Sequence, residues 1–133
     1  MRILFADTYY FLARLNRDDQ HHERVIEFSK TLEAKLITTD WVLMEVVDGL
    51  SSSDKREQLR EYIGHLRNSP SVEVVDATRE LFDRALDFFH RHSDKEWSLT
   101  DCTSFVVMRD RGITEALTGD RHFEQAGFVP LFR

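Results

Sequence analysis

Asp7, Glu45, Asp101 and Asp120 are the residues of this chain whose type and placement could do chemistry. They are spread across the sequence, so only folding can bring them together. Each has neighbours that prefer to be buried. Gathered in one place, four ionised carboxylates repel one another unless a divalent cation sits among them. Hard oxygen ligands suit Mg²⁺ or Mn²⁺, which bind through a few carboxylates and keep several waters. One or two such ions can deprotonate a water, orient a phosphodiester and stabilise the leaving oxygen, with no separate side-chain base required. Metal-dependent phosphodiester chemistry is therefore the leading expectation.

The four acids carry unequal weight. Asp7 and Asp120 each follow a short apolar run, and each alone is explained as a helix N-cap, a role for which Asp is preferred. Asp101 follows Thr100, itself a suitable cap, so Asp101 is expected in the first helical turn. The macrodipole favours a negative charge there, while Phe105 and Met108 of the same helix point into protein. Glu45 interrupts Trp41-Val42-Leu43-Met44-Glu45-Val46-Val47 in mid-helix, far from either cap. Either it shares a solvent-facing stripe with Asp48 and Trp41, or it is a carboxylate in apolar surroundings that needs a partner or a metal.

Other candidates are weaker. Arg121 and His122 flank Asp120 and could contact phosphate, and Arg14 and Arg17 could rim a cleft. Surface Arg and His are common, so a solvated loop is the preferred reading for Arg121 and His122. The pairs His21-His22 and His90/His92 lack a convergent partner for zinc. Cys102 reads as a small core residue. Arg56, Arg60 and Arg67 among Glu57 and Glu61 read as a solvated helix face with ion pairs.

The elements that must position the acids alternate. Arg2–Ala6, Lys35–Thr38, Val72–Val75, Glu115–Leu117 and Phe128–Leu131 read as strands. Thr8–Leu15, Glu23–Ala34, a segment from a Thr38 or Thr39 cap through Leu50, Lys55–Arg67, Thr78–His92, Thr100 to about Asp110 and Arg121–Gln125 read as helices. Ser51–Ser53 with Asp54 is expected to be a turn and the next cap. Strands alternating with helices imply a parallel sheet covered on both faces. Right-handed crossovers put each helix start that follows a strand at one edge of that sheet, the edge where ligands bind. Asp7 and Asp120 fall there by this argument alone.

Composition bounds the class. The 133 residues suit one domain, 1–133, and 41% hydrophobic residues with ten Phe supply a core. Five Gly and two Pro argue for long regular elements, and a single cysteine excludes a disulfide framework. No apolar run is long enough to span a bilayer, and Met1 to Asp7 breaks too soon for a signal-peptide core. The expectation is a soluble, cytoplasmic protein without membrane contact. The net charge of −6 cuts against simple nucleic-acid binding, although cations filling a carboxylate cluster would lessen it.

Three segments carry a resemblance: Ile3-Leu4-Phe5-Ala6-Asp7-Thr8, Trp97-Ser98-Leu99-Thr100-Asp101-Cys102, and Ala116-Leu117-Thr118-Gly119-Asp120-Arg121-His122-Phe123 leading to Gly127-Phe128. With Glu45 in the helix after the second strand, the chain resembles PIN-domain proteins of the kind found as VapC-type ribonuclease toxins. The resemblance implies an α/β, three-layer PIN-like fold, with a parallel sheet of about five strands in the order 3-2-1-4-5 flanked by helices. It implies an Mg²⁺- or Mn²⁺-dependent endoribonuclease, with Asp7, Glu45 and Asp101 as ligands or activators and Asp120 completing the site. Thr8 and Thr118 match hydroxyl positions behind those acids. An RNA substrate, an inhibitory antitoxin and a homodimer follow from the same likeness. Gly119 between Thr118 and Asp120 is the modest departure, a flexible choice that leaves the pose of Asp120 open.

Three alternatives remain. A stand-alone PIN nuclease of RNA processing differs from a toxin only in lacking an antitoxin. A phospho-receiver, as a non-catalytic module, needs an acidic pair after the first strand and a late Lys, and this chain offers neither. A haloacid-dehalogenase-like phosphatase needs a second Asp two residues after Asp7, where Tyr9 stands.

Overall fold

The computed structural model describes residues 1–52 and 54–133. In chain order the elements are β1 (Arg2–Ala6), α1 (Thr8–Leu15), α2 (His22–Lys30), β2 (Ala34–Thr39), α3 (Asp40–Gly49), α4 (Arg56–Asn68), β3 (Val72–Val75), α5 (Arg79–Arg91), α6 (Leu99–Arg111), β4 (Glu115–Leu117), α7 (Arg121–Gln125) and β5 (Val129–Pro130). All strand pairs are parallel, in the order β3-β2-β1-β4-β5. This is the order the resemblance implied. It also separates the chain from receiver domains, whose sheets run 2-1-3-4-5.

β1 is central because both its edges are paired and its apolar residues have nowhere else to go. Leu4, Phe5 and Ala6 are fully buried. Near-continuous hydrophobicity is what a strand covered on both faces requires. The layer over the sheet is completed by α6, in which every residue from Cys102 to Met108 is buried. A helix buried all round is a core helix. Phe105 at its middle meets the rings of Trp97, Phe123, Phe88 and Phe128. The helix ends at Gly112, whose φ of 65° is the left-handed cap that favours glycine.

Several boundaries move. The expected helix over Glu23–Ala34 stops at Lys30, and Ala34 belongs to β2 instead, where it pairs with Arg2. Thr39, not Thr38, caps α3 by accepting from Val42 N at 3.1 Å. Thr38 spends its hydroxyl on the carbonyl of Ala6 at 2.8 Å. Asp54 does not cap α4: its N-cap is Lys55, without a side-chain cap bond, and Ser53 of that expected turn lies outside the described residues. The last strand shrinks to Val129–Pro130. The charged face of α4 binds outward rather than within itself, with Arg56 on the Ser51 carbonyl and Arg67 on Asp40. His22 and His92 hold the carbonyls of Ala13 and Phe88 through Nδ1, local backbone roles.

Candidate active site

The site forms where strand order reverses. β1 leads to β2 on one side, and β4 leads to β5 on the other. In open parallel sheets such a switch point leaves a crevice at the carboxyl edge. Phe5 pairs with Ala116 and Ala6 with Leu117, so Asp7 and Thr118 leave the two strands side by side. Helix α6 precedes β4 and runs back against it, which brings its first turn, with Asp101, to the same edge.

Asp7 is 7% exposed. Its backbone occupies the N-cap position of α1, but its side chain makes no cap hydrogen bond. The cap reading therefore fails for the carboxylate, which instead accepts from Thr118 Oγ1 at 2.8 Å through Oδ2. Burial pushes this carboxyl up to about 7. The Thr118 hydrogen bond and the Thr8 backbone oppose the rise, and the charges of Asp101 and Glu45 add to it. Those last contributions place Asp101 and Glu45 within electrostatic reach of Asp7.

Thr118 joins two of the acids. It donates to Asp7, and its oxygen accepts from the backbone N–H of Asp120 at 3.1 Å. Thr118→Val, nearly the same shape, is expected to lose about 1.5–3 kcal/mol at neutral pH, the range for a hydrogen bond to a charged group. Thermal melting reads the effect, and a wild-type melting temperature would remove the role.

Gly119 is where it is for space. A Cβ there would lie 2.8 Å from Tyr9 Cζ, and Tyr9 is braced by Phe132 and His21. The reading of Gly119 as a flexible choice gives way to close approach. Gly119→Ala is expected to cost about 1–3 kcal/mol as an overpacking substitution, seen as a lower denaturant midpoint. An unchanged midpoint would mean that Tyr9 yields freely.

Asp120 is a working cap: its Oδ1 accepts from His122 N at 2.8 Å. Asp101 has a more specific place than expected. The N-cap of α6 is Ser98, not Thr100, and Ser98 and Asp101 form a reciprocal capping box. The Ser-x-x-acid spacing before an apolar helix is a signal in the sequence itself. The same Oδ2 that accepts from Ser98 N at 3.2 Å also accepts from His122 Nδ1 at 3.0 Å. Burial raises the Asp101 carboxyl above the ordinary range, against the His122 and Ser98 hydrogen bonds, with Asp120 adding to the rise.

Glu45 lies on the exposed side of α3, as the solvent-stripe reading had it. It is not free there: Thr8 Oγ1 donates to its Oε1 at 2.6 Å. His122 is the residue that sequence reasoning undervalued. It does not lie in a solvated loop. Ligand atoms of Asp101, Asp120 and His122 fall within 4.8 Å of one another. Arg121, in contrast, has a 60% exposed side chain and, among the described residues, pairs with Glu96 at 4.0 Å. Arg14 donates to Tyr10 Oη at 3.0 Å and lies beside Tyr62, so its contacts are with tyrosines. Cys102 is buried and its thiol is pushed up to about 11 by burial, which leaves it inert as a nucleophile.

Oxygen donors predominate in the group of Asp101, Asp120 and His122, and the buried Asp7 carboxylate, tied to Asp120 through Thr118, stands next to it without being part of it. That donor set fits a hard divalent cation. A Rossmann-like sheet with acids at its switch point, tied together by threonines, defines a class. Residues 4–129 match the PIN domain, and the chain belongs to the PIN-domain family. It is 32% identical over 131 residues to VapC20 of Mycobacterium tuberculosis, described as a 23S rRNA-specific endonuclease; the alignment covers 97% of this chain and 98% of the relative. The crystal structure of VapC20, described as a sarcin–ricin loop cleaving toxin, superposes with a TM-score of 0.85 at 30% identity over 97% of this chain and 98% of that one. FitAcB of Neisseria gonorrhoeae superposes with a TM-score of 0.65 at 16% identity over 98% and 96% of the two chains. FitAB bound to an IR36 DNA fragment does so at 0.65 and 15% over 96% and 92%. At those identities the likeness is one of fold.

Proposed function

We propose that this chain is an endoribonuclease that hydrolyses RNA phosphodiester bonds with the help of Mg²⁺ or Mn²⁺, and that it is the toxin of a toxin–antitoxin pair. The observation that carries the proposal is the buried Asp7 carboxylate, coupled to Asp101, Glu45 and Asp120 at the sheet's switch point. Asp7, Asp101 and Asp120 would hold the ion, with Glu45 and His122 at its margin. When bound, such an ion supplies a Lewis acid for the phosphate and lowers the pKa of a water.

The chain's own residues set the stage for that chemistry. Thr118 fixes the spacing between Asp7 and Asp120. Ser98 N and His122 hold Asp101 Oδ2 from two sides, and Thr8 steadies Glu45. The relative's description as a 23S rRNA-specific endonuclease supports structured RNA as the substrate class. An acidic cleft of this kind suits a basic side chain from an inhibitory antitoxin. Phe82, Leu86 and Phe89 form an exposed apolar stripe on α5, which supports a protein partner, and a homodimer is the arrangement proposed. Among the described residues no helix is long and apolar enough to cross a membrane, and action in the cytoplasm, on RNA there, is part of the proposal.

The purified chain is expected to cut a 23S rRNA fragment with Mg²⁺ or Mn²⁺ and to stop in EDTA. Equal cleavage by wild type, Asp7→Asn and Asp101→Asn would sink the proposal.

A further inference from the structure

His122 belongs to two places at once. Its Nδ1 faces the Asp101 carboxylate, and its ring also lines a separate open cleft of about 380 Å³ with Asp94, Lys95, Glu96, Arg121 and Gln125. That volume lies within the range of small-ligand sites. The cleft offers several donors. Trp97, buried under it, donates Nε1 to Gln125 Oε1 at 3.1 Å. The amide oxygen of Gln125 is thereby committed, and its NH₂ remains as a pair of donors.

The two cations hold their acids loosely. Arg121 meets Glu96 at 4.0 Å with 60% and 87% of the two side chains exposed. Lys95 meets its neighbour Asp94 at 3.2 Å, with Asp94 71% exposed. Exposed pairs of this kind are worth about 0–1 kcal/mol. An Arg–phosphate contact is bidentate and charge-assisted, and therefore stronger. In a chain of net charge −6, the cleft's two cations are matched by Asp94 and Glu96, so its lining is neutral rather than acidic.

We propose that the cleft sharing His122 with the acid cluster is a subsite for an RNA backbone phosphate next to the bond that is cut, held by Lys95 and Arg121, with Gln125 donating to the attached nucleotide. An RNA strand lying across Asp101 and Asp120 and continuing past His122 would meet this cleft. The inference rests on the nuclease reading above.

The test measures binding of single-stranded RNA by fluorescence anisotropy over a salt series, in an Asp7→Asn background that binds without cutting. Each phosphate contact on a single strand contributes about 0.7 to the slope of log affinity against log salt. Adding Lys95→Ala and Arg121→Ala is expected to reduce the slope by about 1.4 and to weaken binding by about tenfold or more near physiological salt. Arg2→Ala with Lys30→Ala removes the same charge elsewhere and should leave the slope unchanged. An unchanged slope in the cleft variant, or an equal change in the control, overturns the subsite. Failure of the wild-type chain to cut RNA with Mg²⁺ or Mn²⁺ overturns the nuclease reading instead, and the two failures are read in separate assays.

Discussion

Asp7→Asn is expected to raise the melting temperature of the metal-free chain at pH 8 and to abolish RNA cleavage. Burial lifts the Asp7 carboxyl from 3.8 to about 7. Between those values the folded chain binds a proton that the unfolded chain has released. Stability therefore falls as pH rises through that window, and the loss is complete above about 7. Converted at 1.36 kcal/mol per pH unit, the cost approaches about 4 kcal/mol. Asparagine carries no charge, and its oxygen can still accept from Thr118. The variant should gain up to about 4 kcal/mol over wild type at pH 8 and almost nothing at pH 4. A divalent cation should restore the wild type selectively, by about 2.7 kcal/mol at a hundredfold excess over its Kd. Cleavage should drop by more than about 100-fold, beyond what loss of an outer partner costs. Melting curves at several pH values, with and without Mg²⁺, decide it. A variant less stable than wild type at pH 8 would contradict the assignment of Asp7 as an uncompensated charge.

Asp101 has two roles that mutation can separate. Asp101→Asn keeps an oxygen that can accept from Ser98 N, so the capping box survives in part. Its melting temperature should stay within a few degrees of wild type, because burial already disfavours the Asp101 charge and its loss removes that penalty. Cleavage should still fall by more than about 100-fold, because the negative charge facing the cluster is gone. Ser98→Ala is the complement. It removes the acceptor for Asp101 N at 3.0 Å and should cost about 1 kcal/mol as a lost N-cap, while cleavage stays within about threefold by our reading of that cap value. If Ser98→Ala and Asp101→Asn lowered cleavage equally, Asp101 would matter only as part of a cap.

What could be read in advance followed from local rules. Arg2–Ala6 is a strand whose Leu4-Phe5-Ala6 half is buried, because three successive apolar residues leave no polar face there. Thr8–Leu15 begins and ends where apolar spacing said it would, and Asp7 and Asp120 reached the carboxyl edge by crossover handedness alone. The failures sit where two local solutions compete. Ser98 and Thr100 are both acceptable caps, and only Asp101 three residues after Ser98 breaks the tie. Glu45 sits on a helix whose Trp41 and Met44 are not buried either, so hydrophobic periodicity could not tell which face meets α1. His122, read as a residue that could contact phosphate but preferably as part of a solvated loop, was undervalued for another reason. Its partner Asp101 is 21 residues away, and the contact exists only because α6 and α7 converge on one edge. Arg14 points the other way: Tyr10 lies one turn before it on α1, a spacing visible in the sequence, while Tyr62 comes from α4 and meets it only through folding.

The bond between Asp7 and Thr118 spans 111 positions, and this governs when the acids can meet during synthesis. A ribosome adds about 5–20 residues per second, so roughly 6–23 seconds separate Asp7 from Asp120. β1 can pair with β2 early, but its other edge stays open until β4 arrives. Throughout that interval Asp7 faces water at an unfinished edge, ionised and without its threonine. A nascent chain, or a stalled product ending before β4, holds Asp7, Glu45 and Asp101 but lacks the Thr118 hydroxyl that links Asp7 to Asp120. The four acids are therefore brought to one edge only once β4 and the residues after it have been made.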